Sequence, residues 1–193
     1  YKEYSPCSVL APFIYHFWEY KGETRSGLKF NIPPHGCSDL VFIVGNAADC
    51  IRNSLIMKPY HSYFFGPMNT FTELVAHTNF IHIIGVRFRP CGLFQFIEIP
   101  LNELANQGID SQEFPVLFSQ SFIYQLCESN QNPIDIIEHE LVRQVYKNNM
   151  DTEKQISYAV SLISRQKGIV SIKELAAEAC LCLRQFERKF KFY

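Results

Sequence analysis

The rhythm of hydrophobic and polar positions changes near residue 90. From Ala11 to about Arg89, short apolar runs are separated by turn residues: "FIYHFWEY" (13–20), "LKFNIPPHG" (28–36), "SDLVFIVGN" (38–46), "HSYFFGP" (61–67), "FTELVAH" (71–77) and "FIHIIGVRFRP" (80–90). In the third run Leu40, Phe42 and Val44 fall on one face and Val41 and Ile43 on the other, which predicts a strand buried on both sides. In the last, Ile84, Val86 and Phe88 face one way and Arg87 and Arg89 the other. Repeated short strands with turn signals between them predict an antiparallel barrel or sandwich rather than a βαβ sheet.

After "RPCG" (89–92) the spacing becomes helical. "LFQFIEIPLNELANQG" (93–108) starts a helical stretch that Pro100 interrupts and Gly108 stops. "FPVLFSQSFIYQLCES" (114–129) places Val116, Leu117, Ile123 and Leu126 at helical spacing. "NPIDIIEHELVRQVYK" (132–147) opens with Asn132 as a cap and Pro133 at the first helical position. Its stripe of Ile134, Ile137, Leu141 and Val145 faces a core, with Glu138, Glu140 and Arg143 outward. That face can pack on the same chain or on a second subunit. "KNNMD" (147–151) reads as a linker. Asp151 can then cap a helix over 152–167 whose apolar positions are Ile156, Ala159, Val160 and Ile163, ended by Gly168 in a left-handed conformation.

Composition narrows the class. With 47% hydrophobic and 19% charged residues, the chain is a globular protein rather than a disordered one. Seventeen Phe and ten Tyr fit a β-rich core or an aromatic-lined cavity. The seven cysteines (7, 37, 50, 91, 127, 180 and 182) show neither a CxxC pair nor ligand spacing with His. Neither a disulfide framework nor a zinc site is expected, and no cofactor is implied. No apolar run reaches membrane-spanning length and no signal peptide is visible, so a cytoplasmic location without membrane contact is the expectation. The chain begins at Tyr1 rather than Met, so residues before it are expected. Its charge is asymmetric: residues 1–150 carry a net −4 and residues 151–193 a net +3. A basic module on an acidic body is an electrostatic footprint for nucleic acid.

The basic module ends in "SIKELAAEACLCLRQFERKFKFY" (171–193). Ser171 and Glu174 have capping-box spacing, with Ile172, Leu175 and Ala176 inward, and a second helix begins near Leu183. Phe186 and Phe190 share its core face. Arg184, Glu187 and Arg188 are rotated away from that face. Two guanidinium groups one turn apart can each reach a guanine edge in a major groove, and a Glu between them can accept from cytosine. Lys189 and Lys191 sit toward phosphates. An ordinary solvated basic face fits the same residues.

These residues also resemble the first helix-turn-helix of AraC-type transcriptional regulators, whose pattern is roughly S-I-x-E-L-A, five or six residues, then S-x-R-x-L-E-R-x-F. Ser171, Ile172, Glu174, Leu175, Ala176, Arg184, Glu187, Arg188 and Phe190 fall in place, with Phe186 at the Leu position. The helix over 152–167 is similar to the one that opens the family's DNA-binding domain. Residues 5–108 resemble the N-terminal domain of one AraC-like subgroup through Trp18, "P-x-G-x-x-D-L-x-F" (Pro34 to Phe42), "F-x-G" (Phe64 to Gly66) and "G-x-R-F-R-P-x-G" (Gly85 to Gly92). The resemblance implies a bacterial, cytoplasmic, sequence-specific regulator of α+β class. An N-terminal antiparallel, cupin-like β-barrel with appended helices (1–148) would serve sensing or dimerisation, followed by an all-α, partial helix-turn-helix domain (151–193). Double-stranded DNA, a small-molecule effector and a second copy of the chain are the implied partners.

Two departures bear on it. Cys182 stands where the family has Ser at the cap of the recognition helix, and losing an oxygen cap costs about 0.5–2 kcal/mol. A redox pair of Cys180 and Cys182 would need a disulfide geometry that residues two apart on a turn rarely reach. The family's second helix-turn-helix would lie beyond Tyr193, with Phe192 and Tyr193 opening the loop toward it. On that reading the chain is truncated and binds DNA weakly.

In the front part Asp39, Arg87 and Arg89 are the polar candidates. Asp39 with Arg87 can be a structural ion pair, or an arginine can bind an anionic effector. A ligand-blind dimerisation module and a cupin-type metal-dependent enzyme are the rival readings. For the latter His16, His35, His61, His77 and His82 are available, yet no metal-binding spacing or catalytic motif can be assembled from them. A non-enzymatic protein without metal is therefore expected.

Overall fold

The strand β4, Asp39–Ile43, is buried at every position, and the rest of the body is arranged on its two faces. The computed structural model describes residues 1–45, 48–50, 55–97, 100–113, 117–147 and 154–192. The other strands are β1 Lys2–Tyr4, β2 Ile14–Glu23, β3 Lys29–Ile32, β5 Ala48–Cys50, β6 Leu55–Ile56, β7 Ser62–Phe65, β8 Thr72–Ala76, β9 Phe80–Phe88 and β10 Gly108–Asp110. The helices are α1 Leu101–Leu104, α2 Gln120–Glu128, α3 Pro133–Lys147, α4 Lys154–Arg165, α5 Ile172–Glu178 and α6 Leu183–Phe192.

A six-stranded sheet runs β1-β2-β9-β4-β7-β10 and a four-stranded sheet β3-β8-β5-β6. Their pairings are antiparallel. The closed, cupin-like barrel expected from the sequence is not found among the described residues. Two separate sheets pack face to face instead. The alternation in β4 and β9 is what both arrangements share, so the pattern alone did not separate them.

The two faces of the larger sheet feed two cores. Leu40, Phe42, Ile84, Val86 and Phe88 pack with Leu126 of α2 and with Ile134, Ile137 and Leu141 of α3. The stripe of α3 thus covers its own sheet, and Glu138 of that helix accepts from the Cys7 backbone N–H at 2.7 Å. Val41, Ile43, Tyr63, Ile81 and Ile83 face the second sheet. The molecule is therefore layered as helices, sheet, sheet. Asn132 caps α3 as expected, its Oδ1 accepting from Ile134 N–H at 3.1 Å.

Gly108 does not merely end a helix. It begins β10, which pairs with β7. The helical stretch over 93–108 is reduced to a 3₁₀ turn at Gly92–Gln95 and the four-residue α1. Pro100, immediately before α1, limits it by lacking the N–H that a continuing helix would need.

The helices α4, α5 and α6 close a third core around Ile156, Ala159, Leu175, Ala176, Ala179 and Phe186. Cys91 of the body joins it, and Phe94 lies 5.6 Å from Phe192 between ring centroids. Gly168 follows α4 with φ +80, the left-handed conformation a side chain resists, and its N–H reaches Ile163 O at 2.9 Å. The linker at 148–151 and the Asp151 cap lie outside the described residues.

Candidate functional site

A cavity of about 300 Å³ lies between the two sheets. Its wall is mostly apolar, with Trp18 and Tyr20 of β2, Phe30 of β3, Phe65 of β7, and Met57 and Met68. One end is polar. The antiparallel register sets Asp39 of β4 opposite Arg87 of β9, so the two side chains emerge on the same face. Arg87 Nε donates to Asp39 Oδ1 at 3.0 Å and Arg87 Nη2 to Oδ2 at 2.9 Å. Two parallel charge-assisted bonds of this kind are the strongest way to hold a guanidinium. Asp39 is only 4% exposed, and burial of one charge demands such a partner.

His35 completes the cluster. Its Nε2 lies 3.3 Å from both Asp39 Oδ2 and Arg87 Nη2. Burial lowers its pKa, more than Asp39 raises it, so the neutral imidazole is favoured. Burial also pulls down the Arg87 pKa, but the hydrogen bonds and charge of Asp39 outweigh it and the net shift is upward. The three groups together carry no net charge near neutrality.

Arg89 is not part of this cluster. It lies just past β9, donating from Nε to Ala11 O at 2.8 Å with its guanidinium 4.3 Å from the centre of the Tyr15 ring. It borders a groove of about 540 Å³ that also touches Ser157, Ser161 and Ser164 of α4. The expectation that Arg87 and Arg89 share one polar face is corrected here. The strand ends at Phe88, so alternation no longer directs Arg89.

Sequence reasoning did not single out Trp18 as a site residue. It pairs with Gly85 across β2 and β9, and a Cβ on Gly85 would meet indole Cε2 at 1.9 Å. Glycine therefore lets the ring lie flat on the sheet. The indole Nε1 is buried without a hydrogen-bond partner. His35 stood only among the histidines available to a metal. The signal for both was their place within the motifs around Asp39 and Gly85. Among the described residues no group of three or more His, Cys, Asp or Glu could hold a metal ion.

At the other end of the chain, α5 and α6 are joined by a turn in which Cys180 has φ +54. Leu181 N–H reaches Ala176 O at 2.9 Å and closes it. Phe186 is 3% exposed, and Phe190 stacks on it at 5.4 Å while staying 39% exposed. Arg184, Glu187, Arg188 and Lys191 are exposed. Lys189 is half-buried and its Nζ donates to Gln155 Oε1 of α4 at 3.4 Å. Two local expectations fail. Ser171 precedes α5 in an extended conformation, but its side chain makes no cap hydrogen bond. Both Ser171 and Glu174 are exposed, so water can serve the N–H groups that a capping box would have satisfied. Ile172 is 55% exposed rather than inward, because Leu175, Ala176 and Ala179 already fill the contact with α4 and α6. Phe192 belongs to α6, not to a following loop. Cys180 and Cys182 are free, exposed thiols.

Two packed antiparallel sheets around an apolar cavity, one face backed by helices, define a ligand-sized α+β sandwich. The chain belongs to the family described as a domain of unknown function, DUF6597, whose model matches residues 2–110. The match ends on the last residue of β10, so it takes in both sheets and stops before α2. No curated protein sequence matches the chain. Similar solved structures include ToxT from Vibrio cholerae, 12% identical with a TM-score of 0.33 over 91% of this chain and 93% of that one. Another is wild-type ToxT from Vibrio cholerae strain SCE256 bound to an unsaturated fatty acid, 12% identical with a TM-score of 0.35 over 91% and 90%. Likeness at this level carries no argument about topology or ligand. Among the described residues no helix is long and apolar enough to cross a membrane.

Proposed function

We propose that the chain is a cytoplasmic, non-enzymatic, DNA-binding transcription regulator of AraC type. In this reading residues 1–148 sense a small-molecule effector and mediate dimerisation, and residues 151–193 form a helix-turn-helix with α6 as the recognition helix. One observation carries it. From the side of α6 turned away from the buried Phe186, Arg184, Glu187, Arg188 and Lys191 all face solvent. A helix held by one aromatic anchor, with a donor-rich opposite face, has the form that enters a major groove. Arg184 and Arg188 are assigned to guanine edges, Glu187 to a cytosine amine, and Lys191 to a phosphate. Lys189 is assigned to a phosphate as well, which requires it to leave Gln155. The cavity between the sheets is the assigned effector site.

The test is fluorescence anisotropy on DNA from the region upstream of the chain's own coding sequence, at two salt concentrations. With two lysine–phosphate contacts the log of the affinity should fall against log salt with a slope near −2. One such helix gives weak affinity. Arg188→Ala should cost about 1–3 kcal/mol on the selected site and relax specificity at one base pair, and Arg184→Ala should behave likewise. Equal loss on random DNA would make these residues phosphate contacts. Binding indifferent to sequence and to both substitutions would sink the recognition-helix reading.

A further inference from the structure

The walls between the sheets carry information about what they would hold. Aromatic faces from Trp18, Tyr20, Phe30 and Phe65 and the thioethers of Met57 and Met68 surround about 300 Å³. Ring faces and thioethers both favour aromatic contacts. A dry cavity of about 150 Å³ takes one benzene-sized ring, so this space suits about two.

Two further observations set the polarity. The charge at the polar end is already cancelled, since Asp39 receives both Nε and Nη2 of Arg87 and burial keeps His35 toward its neutral form. A carboxylate entering the cavity would find the paired edge of the arginine occupied and would meet Asp39 on the same wall. Like charges in one site oppose each other's ionisation. The Trp18 indole presents the reverse situation. It lines the same space, and its Nε1–H is a buried donor with no acceptor, a desolvation cost that an incoming acceptor would offset.

From these we propose that the cavity takes an uncharged, largely aromatic molecule of about two rings whose hydrogen-bond acceptor receives the Trp18 Nε1–H, and that it selects against carboxylates. This rests on the effector reading of the cavity, but its test does not involve DNA.

Trp18 is the single tryptophan of the chain, so one indole cross-peak in a nitrogen–proton correlation spectrum reports on the site. The probes are methyl naphthyl ketone, naphthoate and ethylnaphthalene, which share a ring system and differ in carrying an acceptor, a charge or neither. The ketone should shift the indole peak saturably and bind at least about tenfold tighter than naphthoate. Trp18→Phe should weaken ketone binding about three- to tenfold and leave ethylnaphthalene within about twofold. Asp39→Asn frees the charge of Arg87 and should narrow or reverse the gap between ketone and carboxylate. Tighter binding of naphthoate by the unmodified chain would overturn the proposal while leaving the cavity a ligand site. Ketone binding that neither moves the indole peak nor responds to Trp18→Phe would overturn the role of Trp18. If none of the three probes binds, the proposal fails outright, and the DNA-reading role is still decided by the anisotropy titration.

Discussion

Arg87 and Arg188 are the same residue in opposite circumstances. Arg87 stands beside a 4%-exposed carboxylate that takes both its Nε and its Nη2 donors. Arg188 stands on α6 in water, as does Arg184 one turn before it, and neither has an ion-pair partner among the described residues. The contrast follows from desolvation. A cation taken out of water must be compensated at once, so its partner is built into the neighbouring strand. A cation left in water needs no compensation, and its donors stay available to whatever docks. The interior arginine therefore holds the sheet register, while those on α6 are the uncommitted ones.

Substitutions that remove one region's support should leave the other untouched. The largest effect is expected from Phe186→Ala, about 3–5 kcal/mol for a buried aromatic. It should appear in α4, α5 and α6 alone, because α2 and α3 pack on the sheet. In urea, part of the helical circular dichroism should be lost earlier, while Trp18 fluorescence, which reports on the sandwich, keeps its midpoint. Coincident shifts would mean that Cys91 binds the two regions into one unfolding unit. Next comes Asp39→Ala, which strands Arg87 and should cost about 3 kcal/mol, the lower end for a buried pair because Arg87 keeps part of its exposure. Arg188→Ala should stay within about 0.5 kcal/mol. Equal costs for the two would erase the distinction.

A smaller effect follows from His35. Burial lowers its pKa in the folded protein, so between that lowered value and the ordinary value of about 6.5 the unfolded chain binds the extra proton. Stability is then fully present above about pH 6.5 and declines as pH falls through that point. Burial alone would raise the Glu19 carboxyl, but hydrogen bonds from His82 and Tyr4 hold it below its usual value, so it stays ionised there. Urea midpoints on either side of pH 6.5 should differ less in His35→Gln than in the unmodified chain. An unchanged difference would remove His35 from the account.

Much of the β-rich body could be read from alternation. Buried on both faces, β4 puts Leu40 and Phe42 toward the helices and Val41 and Ile43 toward the second sheet, as its pattern implies. The stripe of α3 was equally plain. What alternation could not supply was closure, since a strand in a sandwich and a strand in a barrel bury the same residues. Nor could it supply β10, too short at three residues to show a period. At the cavity, Asp39 and Arg87 were visible because charges interrupt apolar strands. Trp18 was hidden because an aromatic among aromatics looks like core, and only the glycine opposite and the unpaired indole nitrogen set it apart. On α6 the exposed residues followed from helical phase relative to Phe186. Lys189 did not, because its contact with Gln155 depends on how α4 crosses α6.

The smallest predicted change concerns the residue before α6. Cys182 O accepts from Phe186 N–H at 2.9 Å, and Cys182 N–H donates to Gln185 Oε1 at 3.4 Å. Half of a reciprocal cap is thus present: the glutamine reaches back, but a thiol is a weak acceptor for the helix N–H groups in return. Cys182→Ser should stabilise the helical region by about 0.5–1 kcal/mol, seen as a later loss of helical circular dichroism in urea with no change in the Trp18 transition. Because Arg184, Glu187 and Arg188 keep their positions, the serine alters the order of α6 without altering its charge. If stability does not rise, Cys182 gains nothing from a hydroxyl, and water already serves the exposed N–H groups of that first turn. If it rises and DNA affinity rises with it, part of the weak binding expected of α6 comes from fraying at its first turn rather than from too few contacts.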